Sequence, residues 1–551
     1  MLREINRSPR HHVTTSPVKK YKSIVLSILS GIVSALPFCD GRLWILAWFG
    51  FVPLFLALRN KSRLQSFLLS YLCGIIFWSI TIYWLIHVTL LGQILLIAYL
   101  AVYFGFFGII ISSLVPALPT GRQASSIVLF LIPSVWVILE YVRSHVLTGF
   151  GWALLGYSQY LNLPIIQIAD IFGVYGVSFV IMMVNVTIYN FVVTKSPSHP
   201  PQSIGGCPPK QCGGHKAISK RYICFTIITL FIYLLYGFLK LQYLSSFALR
   251  PSPFVVKLSL IQGNIPQELK WALGSQPLIL ERYTHLTQKA ALENPDLIIW
   301  PEASSPGFYG DTHDRWIAEH IFSLAEKTNI PVLFGTVVKE NEEYFNSALL
   351  INKEGKLSGR YDKLHLVPFG EYIPLKNSLK FLETIVPIGD FTSGREYVLF
   401  SLPTNNANQA SRIKNQGSAI FSVLICFEDT IPELARNFVK KGAAFLVTIT
   451  NDAWFQKTSA PFQHLSASVF RAVENRVPLV RAANTGVSCF IDGTGKITAR
   501  VSENGKEIFI PGIKFQDVFL RATGSLYTGL GDIFILACCA LAGFCGIIFK
   551  K

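Results

Sequence analysis

Long apolar stretches separated by short polar loops occupy positions 23–241, and one more lies at the carboxyl end of the chain. A helix needs about 20 apolar residues to cross a hydrocarbon core of about 30 Å. The second stretch is short and the sixth is long, so we expect helix tilt or extension to absorb the difference. The pattern predicts eight membrane spans, at 23–38, 43–58, 66–86, 91–117, 125–142, 164–193, 222–241 and 527–549.

A different pattern begins near residue 254 and continues to about 520. Short apolar runs bounded by polar or turn residues alternate there with longer amphipathic stretches, and this alternation is typical of a layered α/β domain. The predicted strands are 255–261, 296–300, 331–337, 346–352, 418–425, 444–450 and 486–491, and the predicted helices are 276–293, 313–328, 430–441 and 462–475.

These two patterns divide the chain into four segments. Residues 1–22 form a polar, basic tail, residues 23–241 a bundle of seven spans, residues 242–525 the α/β domain, and residues 526–551 an eighth span with a short tail. A cleaved signal peptide is the alternative for the first span, but further spans follow at once, which favours an uncleaved anchor. The composition indicates a membrane protein, because 51% of residues are hydrophobic, 15% are charged and the mean hydropathy is +0.43.

The net charge of +17 comes largely from basic residues beside the apolar stretches. They lie in the N-terminal tail, at the C-terminus and in alternate loops, whereas the intervening loops carry little beyond Arg42 and Arg143. By the positive-inside rule, we expect both termini in the cytoplasm and the α/β domain on the outer side of the membrane. No DNA- or RNA-binding motif accompanies the charge, so no nucleic-acid partner is expected. The basic loop positions are Arg59, Lys61, Arg63, Arg122 and those within 195–221.

Three polar residues, Glu140, Asp170 and Asn185, fall inside predicted spans. Such residues are costly in lipid, so they should face the bundle interior or an interface. Two roles remain open at this stage. Either they line a path for a lipid or an ion, or they hydrogen-bond neighbouring helices.

Of the ten cysteines, Cys426 and Cys489 are the two that lie in the α/β region. Two cysteines cannot build a framework of disulfides, and a bridge between them would remove a nucleophile, so we expect both thiols to be free. Cys207, Cys212 and His215 loosely suggest a metal site, but their spacing is irregular and the sequence offers no obvious fourth ligand. A loop rich in proline and glycine is the preferred interpretation, and no metal is expected.

Cys426 stands at the end of the apolar run 420–425. The run predicts a buried strand, and a nucleophile at the end of a rigid strand is well placed for catalysis. Taken alone, a free cysteine is more often a small residue of the core. Two further segments favour catalysis, because the apolar strand 296–300 leads into Glu302 and a third motif contains Lys363.

Glu302, Lys363 and Cys426 follow the order of the catalytic Glu, Lys and Cys in the nitrilase superfamily, which this chain resembles. It is most similar to the membrane-bound branch, the apolipoprotein N-acyltransferase family, because several family motifs occur together in order. These motifs are Gln-Gly-Asn-Ile-Pro-Gln at 262–267 with Trp271 following, Trp-Pro-Glu at 300–302, Asp-Lys at 362–363 with Leu-Val-Pro-Phe-Gly-Glu-Tyr at 366–372, and Asn-Asp-Ala-Trp-Phe at 451–455.

The resemblance implies a four-layer α-β-β-α sandwich and a division of catalytic roles. It implies that Cys426 is the nucleophile, that Glu302 takes its proton, and that Lys363 favours the thiolate and the oxyanion. Many family members carry tyrosine where this chain has Phe427, so the hydroxyl of that tyrosine is missing here. The residues that the resemblance implies as supporting catalysis are Glu371, Glu428, Phe427, Trp271, Asn346 and Trp454.

The activity that the resemblance implies is transfer of a fatty acyl group from a membrane phospholipid, through a cysteine thioester, to the α-amine of the N-terminal diacylglyceryl-cysteine of apolipoproteins. It also implies the bacterial inner membrane, a periplasmic catalytic domain, and no metal or nucleotide cofactor. Two alternatives are a membrane-tethered amidase, which would hydrolyse its substrate, and a transporter that uses a degenerate nitrilase domain for binding. The intact Glu, Lys and Cys argue against the transporter.

The stretch 374–394 carries many apolar side chains directly after the motif that contains Glu371. Its prolines and glycines are typical of a loop, although a segment of buried core is the alternative. A loop with this much apolar surface usually covers a ligand or enters a membrane interface. We therefore predict a lid that admits the lipid substrates. The predicted lid residues are Phe381, Leu382, Ile385, Val386 and Phe391.

Overall fold

The structure, a computed structural model, describes residues 17–114, 124–195, 210–248, 255–270, 272, 274–368, 370–372, 390–403, 418–520 and 524–548. Most of its longest helices come before the strands in the chain. The α-helices in these ranges are α1 (Pro17–Cys39), α2 (Val52–Leu58), α3 (Arg63–Thr81), α4 (Leu90–Leu114), α5 (Ala124–His145), α6 (Leu163–Ile166), α7 (Ala169–Lys195), α8 (Lys210–Ala248), α9 (Gln267–Lys270), α10 (Gln276–Ala291), α11 (Arg315–Thr328), α12 (Pro432–Lys441), α13 (Ala460–Asn475), α14 (Leu526–Leu530) and α15 (Ile533–Ile548).

The strands all lie between the last helix of the N-terminal bundle and α14. They are β1 (Val255–Gln262), β2 (Leu297–Ile299), β3 (Phe308–Tyr309), β4 (Val332–Glu340), β5 (Glu343–Ile351), β6 (Leu357–Asp362), β7 (Phe400–Pro403), β8 (Ser418–Ile425), β9 (Phe445–Thr450), β10 (Leu479–Ala483), β11 (Cys489–Ile491), β12 (Ile497–Arg500) and β13 (Gly512–Phe519).

Seven segments of the described chain are long and apolar enough to cross a membrane, which confirms the seven spans predicted for the N-terminal half. In the place of the predicted eighth span lies α15, a shorter apolar helix of 16 residues. At 1.5 Å per residue it is about 24 Å long. The seven segments are Tyr21–Cys39, Gly41–Leu58, Arg63–Thr81, Leu90–Ser112, Val128–Thr148, Ala169–Val193 and Lys220–Leu244.

Two of these spans are interrupted where the sequence predicted continuous stretches. The second consists of a 3-10 helix, Gly41–Trp48, and α2, with a turn at 49–51 between them. Pro53 stands in the first turn of α2, where its fixed φ suits a helix start. The span predicted at 164–193 is split into α6 and α7, and Gly173 within α7 has a φ of +63° that favours glycine.

The polar residues inside the spans bond to neighbouring segments. Glu140 accepts a hydrogen bond of 2.6 Å from a backbone N–H in the loop after α5. Asn185 accepts one of 2.9 Å from the N–H of Phe51, in the turn that splits the second span. Asp170 accepts one of 2.9 Å from the guanidinium of Arg476 in the α/β domain. These contacts favour the role of bonding helices together over that of lining a path.

Two sheets form the α/β domain. The first has the strand order β13-β1-β2-β4-β5-β6, with β3 beside β4, and the second has the order β12-β11-β10-β9-β8-β7. The central strands of both sheets are parallel, because β1, β2 and β4 run together in one and β8, β9 and β10 in the other. The carboxyl ends of these parallel strands therefore meet along one edge of each sheet, where ligands of α/β proteins usually bind.

Alternate residues of the first sheet enter different cores. Leu297 and Ile299 of β2 belong to the large core that also contains Val423 and Val447 of the second sheet. Ile298, between them, belongs to a second core with residues of α10 and α11. Successive side chains of a strand point to opposite faces, so the first sheet lies between a helix layer and the second sheet. With α12 and α13 beyond the second sheet, the layers are α-β-β-α, as the resemblance implied.

The remaining strand predictions differ in detail from the structure. The strand predicted at 486–491 is shortened to β11, and β10 precedes it as a separate, parallel-paired strand. Arg481 stands in the middle of β10 and breaks the apolar run that would have predicted a strand there. The sequence pattern also missed β3, β6, β7, β12 and β13, which are short or carry exposed side chains.

Helix α13 joins the α/β domain to the bundle. All of its residues but Phe462 are buried, because it packs between the second sheet and the bundle. Phe470 of α13 stacks edge-on against Tyr157 of the bundle at 5.2 Å between ring centroids. The two parts therefore share one continuous core, which also contains Val174 of α7.

Candidate active site

The three predicted catalytic residues meet where strands from both sheets end. Glu302 lies shortly after β2, Lys363 directly follows β6, and Cys426 directly follows β8. The Nζ of Lys363 lies 3.8 Å from Oε1 of Glu302, and both charges act on the thiol of Cys426. The structure thus brings the three residues together, with Glu302 and Lys363 buried and Cys426 partly exposed.

The carboxylate of Glu302 is fixed at both oxygens. Oε1 accepts a hydrogen bond of 2.8 Å from Nδ2 of Asn346 on β5. Oε2 accepts one of 2.8 Å from the backbone N–H of Asn451, just after β9. Because both donors come from well-packed segments, the carboxylate is held in one orientation beside Cys426.

Gly335 of β4 makes room for the segment that carries Glu302. A Cβ at this position would lie 2.5 Å from the N of Ala303 and 2.6 Å from the Cα of Glu302. The N–H of Gly335 donates to the carbonyl of Pro301 at 3.1 Å. Only glycine therefore lets β4 approach the backbone of Glu302 this closely.

Lys363 is held by two carboxylates. Its Nζ donates to Glu371 at 2.9 Å, and Nδ2 of Asn346 bridges the same oxygen of Glu371 at 2.7 Å and Glu302 at 2.8 Å. Burial lowers the pKa of the Lys363 ammonium, but the charges of Glu371 and Glu302 outweigh it and raise the pKa above its ordinary value. Lys363 is therefore a permanent cation at neutral pH.

Cys426 sits at a sharp turn between β8 and a short 3-10 helix, Cys426–Thr430. Its φ of +53° lies in the left-handed region, which residues other than glycine rarely adopt and which clusters at functional sites. Burial, and then the charge of Glu302, raise the pKa of the thiol well above its usual range despite Lys363. The resting group is therefore a thiol.

The backbone N–H of Phe427 lies in the first turn of this 3-10 helix. Donors in the first turn of a helix have no acceptor within the helix. Together with the ammonium of Lys363, this N–H provides two donors beside Cys426 for an oxyanion.

Glu428 accepts hydrogen bonds from the segments that carry Lys363 and Cys426. It is fully buried and accepts from the N–H groups of Leu364 at 2.7 Å and Ile425 at 2.8 Å, and from the hydroxyl of Tyr361 at 2.9 Å. Burial raises its pKa to about 7, although these donors oppose the shift. The side chain thus ties the end of β6 to the end of β8, and so Lys363 to Cys426.

The other predicted site residues are spread more widely. Trp454 lies on the surface with 49% of its area exposed. The N–H of Phe391 donates to the carbonyl of Glu371 at 3.0 Å, which places this predicted lid residue beside the site. Trp271 and the lid residues Phe381, Leu382, Ile385 and Val386 lie outside the described residues.

The metal interpretation of Cys207, Cys212 and His215 cannot be compared with side-chain positions, since these lie outside the described part. Within the described part, no group of three His, Cys, Asp or Glu side chains is arranged to hold a metal ion. Cys426 and Cys489 are both free thiols.

A buried ionic cluster behind Cys426 was missed by the sequence analysis. Nε2 of His464 lies 3.2 Å from the carbonyl oxygen of Cys426 and 2.9 Å from Asp429, and its Nδ1 lies 3.0 Å from Asp452. Arg481 spans the two aspartates, at 2.7 and 3.1 Å. Burial and Arg481 oppose the charge of His464, but the aspartates outweigh them and raise its pKa to about 9.

Aromatic rings of the bundle cover Phe427, the residue that follows Cys426. The ring of Phe427 lies parallel to that of Trp152, with centroids 6.5 Å apart and an interplanar angle of 5°. Phe150 and His365 stack on it at 6.4 and 6.2 Å. The ring of Phe427 therefore packs on rings of the bundle and on His365.

Comparison with known protein families agrees with this architecture. Residues 30–187 match the family model "Apolipoprotein N-acyltransferase N-terminal domain", and residues 257–520 match "Carbon-nitrogen hydrolase". The first match covers much of the bundle, and the second covers both sheets and all three candidate catalytic residues. Among solved structures, the chain is similar to Saccharomyces cerevisiae Nit3, a member of branch 10 of the nitrilase superfamily, with a TM-score of 0.34, 21% identity, and coverage of 48% of this chain and 90% of that one.

Full-length relatives are also found. The chain is 36% identical to the apolipoprotein N-acyltransferase of Geobacter metallireducens, over 94% of both chains. It is 29% identical to that of Haemophilus ducreyi, over 87% of this chain and 88% of the relative. Seven segments of its described residues are long and apolar enough to cross a membrane, so it is a multi-pass membrane protein, and it belongs to the apolipoprotein N-acyltransferase family.

Proposed function

We propose that this protein transfers a fatty acyl group from a membrane phospholipid, through a thioester on Cys426, to the α-amine of the N-terminal diacylglyceryl-cysteine of an apolipoprotein. The observation that carries the proposal is the cluster of Glu302, Lys363 and Cys426, covered by rings of a membrane bundle. The names of the relatives at up to 36% identity support the same acceptor class. A hydrolase for soluble amides has no use for seven membrane spans.

In the first half-reaction, Glu302 takes the thiol proton while the sulfur attacks the ester carbonyl. Lys363 and the N–H of Phe427 stabilise the oxyanion that forms, and one such donor is typically worth about 3–4 kcal/mol of barrier. The C–O bond then breaks, and Glu302 returns the proton to the departing lysophospholipid alkoxide. The acyl group remains on Cys426 as a thioester.

In the second half-reaction, the α-amine of the acceptor attacks the thioester. Glu302 takes a proton from the nitrogen, the C–S bond breaks, and the thiol of Cys426 is restored with that proton. The product is an amide. The same donors serve both tetrahedral intermediates, because both oxyanions form on the same carbonyl.

Two observations support an orientation with the α/β domain in the periplasm and both termini in the cytoplasm. The α/β domain contacts the bundle at the carboxyl ends of α1 and α3, through the carbonyls of Phe38 and Thr81, and at the start of α7 through Asp170. The basic positions Arg59 and Arg63 belong to a loop at the opposite ends of these helices. By the positive-inside rule, that side is cytoplasmic.

The lid hypothesis concerns how two lipid substrates reach the thiol of Cys426. The segment 373–389 connects two positions that are hydrogen-bonded to each other, since Phe391 donates to the carbonyl of Glu371. Glu371 in turn accepts from Lys363. We propose that the apolar residues of this segment lie at the bilayer interface and open to admit the phospholipid and then the acceptor.

The proposal is tested with full-length protein in detergent. After incubation with phosphatidylethanolamine, the intact mass should rise by one acyl group, and hydroxylamine should remove it. Addition of a diacylated lipopeptide should discharge the adduct and give an N-acylated peptide. Cys426→Ala should form neither adduct nor product.

Cys489→Ala is the matched control, because the Cys489 thiol is fully buried in β11 and burial raises its pKa to about 12. It should keep both adduct and product. Persistence of the adduct in Cys426→Ala would contradict the assignment of the carrier. Release of free fatty acid with no amide, when the lipopeptide is present, would favour the hydrolase instead.

A further inference from the structure

Lys270, the last residue of α9, has a buried ammonium near the reaction centre. Its Nζ donates to the main-chain carbonyl of Glu302 at 3.1 Å, and 7% of the residue is exposed. Among the described residues, its Nζ forms no ion pair with an aspartate or glutamate and no second hydrogen bond. Lysine is almost never buried unless it is paired, so the burial of Lys270 without a carboxylate partner among the described residues requires an explanation.

The groups whose charges act on Lys270 are those proposed to react. Burial lowers the pKa of Lys270, whereas the charges of Glu302 and Cys426 raise it, and the balance is about 8. Lys270 is therefore largely protonated at neutral pH. His365, the other basic group near Lys363, is not a second cation, because burial lowers its pKa below the ordinary value.

Over the part of the site that the structure describes, the charges do not balance without Lys270. Lys363 carries one positive charge against the two carboxylates of Glu302 and Glu371. When Glu302 takes the thiol proton, Lys363 faces Glu371 and the new thiolate, which leaves one negative charge unmatched. A protonated Lys270 makes this buried state neutral, and a buried uncompensated charge is costly.

Among the described residues, no other ionisable group packed around the site supplies this cation. Asp452 also acts on Cys426, but Asp429 and Asp452 are matched by Arg481 and His464. Glu428 can only add negative charge, and its oxygens are met by N–H and O–H donors.

We propose that Lys270 is a positioning residue of the reaction centre: its hydrogen bond holds the peptide unit that carries Glu302, and its charge stabilises the Cys426 thiolate while Glu302 holds the proton. This inference rests on the proposed roles of Cys426 and Glu302. It adds a second cation to the three residues that the motif predicts. No proton or electron is transferred to or from Lys270 in the step.

The test measures alkylation of Cys426 by iodoacetamide as a function of pH, in full-length protein in detergent. Intact mass gives the rate, and Cys426→Ala supplies the background from the other cysteines. Lys270→Gln keeps a donor for the Glu302 carbonyl and loses the charge, whereas Lys270→Arg keeps a charge. Lys356→Met, an exposed lysine in a turn of the same domain, is the matched control.

For Lys270→Gln we expect alkylation at pH 7 to be about tenfold slower and its pH midpoint to rise by about one unit, which corresponds to about 1.4 kcal/mol. Acylation by phosphatidylethanolamine should slow by a similar factor. Lys270→Arg should stay within about threefold of wild type, and Lys356→Met should match wild type. These ratios follow from loss or retention of one charge beside the thiolate.

A folded Lys270→Gln protein with the wild-type pH profile would overturn the inference. So would a Lys270→Arg protein as slow as Lys270→Gln, because shape rather than charge would then matter. If Lys270→Gln does not fold, Lys270→Met is measured in the same way, and the same two outcomes decide. Alkylation needs no lipid. Failure of acyl transfer to a lipopeptide would therefore refute the proposed function, whereas the alkylation rates of the Lys270 variants would still test the role of Lys270.

Discussion

The indole N–H of Trp152 donates to Oε1 of Gln463 over 2.7 Å, across the boundary between the bundle and the α/β domain. The same oxygen accepts from Trp84 at 3.0 Å. The amide nitrogen of Gln463 donates to the carbonyls of Phe38 and Thr81, at 2.8 and 2.9 Å. One buried side chain of α13 thus satisfies four polar groups of the bundle.

Replacement of Gln463 should weaken the interface between the bundle and the α/β domain. Gln463→Leu keeps the approximate volume but leaves two indole N–H groups and two carbonyls without their partner, and each unsatisfied buried group costs about 1–3 kcal/mol. We expect a lower unfolding temperature in detergent and slower thioester formation. Gln288→Leu, on the exposed face of α10, is the control. An unchanged unfolding temperature in Gln463→Leu would contradict the proposal that Gln463 stabilises this interface.

Gly335 should be required for the position of Glu302 and much less for the fold. In Gly335→Ala the new Cβ meets the backbone around Glu302 at 2.5–2.7 Å, so the carboxylate must move. A misplacement of about 1 Å in an active site can cost about 10²-fold in rate. We expect the rate of acyl-adduct formation, measured by intact mass, to fall by that order.

Gly529→Ala is the matched substitution, because nothing lies within 4 Å of a Cβ there. It should leave the rate of adduct formation unchanged. A wild-type rate of adduct formation in Gly335→Ala would mean that the backbone of Glu302 can shift without loss of activity.

His464 should make stability depend on pH in a defined window. Its pKa is raised from 6.5 to about 9, so the folded state binds a proton more tightly than the unfolded state. The resulting stabilisation is full below about pH 6.5 and is lost as pH rises through about 9. We expect the unfolding temperature of wild type to fall between pH 7 and pH 9.5 more steeply than that of His464→Gln.

Glu428 and Glu474, whose pKa values burial raises to about 7, titrate in the lower part of this window in both proteins, so the difference between the two curves reports His464. His285→Gln, an exposed histidine of α10, should follow wild type across the window. Parallel curves for wild type and His464→Gln would show that His464 is not charged in the folded protein.

The orientation in the membrane is tested by cysteine probes. Glu354→Cys, exposed in a turn of the α/β domain, should react with a membrane-impermeant maleimide added to spheroplasts. Asn60→Cys, exposed in the loop between α2 and α3, should react only after the membrane is opened. The parent chain, labelled in parallel, gives the signal from the native cysteines. The reverse pattern of labelling would overturn the argument from loop charges.

The lid hypothesis predicts a difference between two acyl donors. Phe381→Asp combined with Ile385→Asp should slow thioester formation from phospholipid in vesicles, because charges oppose contact with the bilayer interface. It should spare acylation by a small soluble aryl ester, which needs no lipid access. Exposed Leu357 provides a control, and Leu357→Asp should affect neither donor. Equal loss with both donors, or no loss with either, would contradict a lid.

The motif residues were predictable because each lies in a short segment whose residue types can be recognised without knowledge of the fold. Glu302 and Cys426 each end an apolar run, and such a run predicts a strand whose end carries the polar residue. Lys363 needed the resemblance, because β6 before it has exposed residues and no apolar run. The lengths of the apolar stretches were enough to predict the spans, since about 20 consecutive apolar residues are typical of a membrane-spanning helix.

The residues around the motif were not predictable from local patterns. Gln463 and His464 lie in a helix that is buried on all sides, where polar side chains look like a solvent face in the sequence. Arg481 interrupts β10 as an apparent surface charge, yet it is fully buried between two aspartates. Lys270 ends a short helix, a position where a lysine is usually exposed and gives no sign of a role in the site. The contacts that explain these residues link segments far apart in the chain.

The burial of α13 on both sides has a consequence for the order in which the protein is assembled. Translation proceeds from the amino end, and N-terminal parts generally fold first. The surface on which α13 packs is built from α7 and the loop that carries Trp152 and Tyr157, all of which leave the ribosome before the first strand. The membrane-embedded part is thus available as a template when the enzyme domain emerges, and a fragment beginning at β1 would expose to water the side of α13 that packs on the bundle.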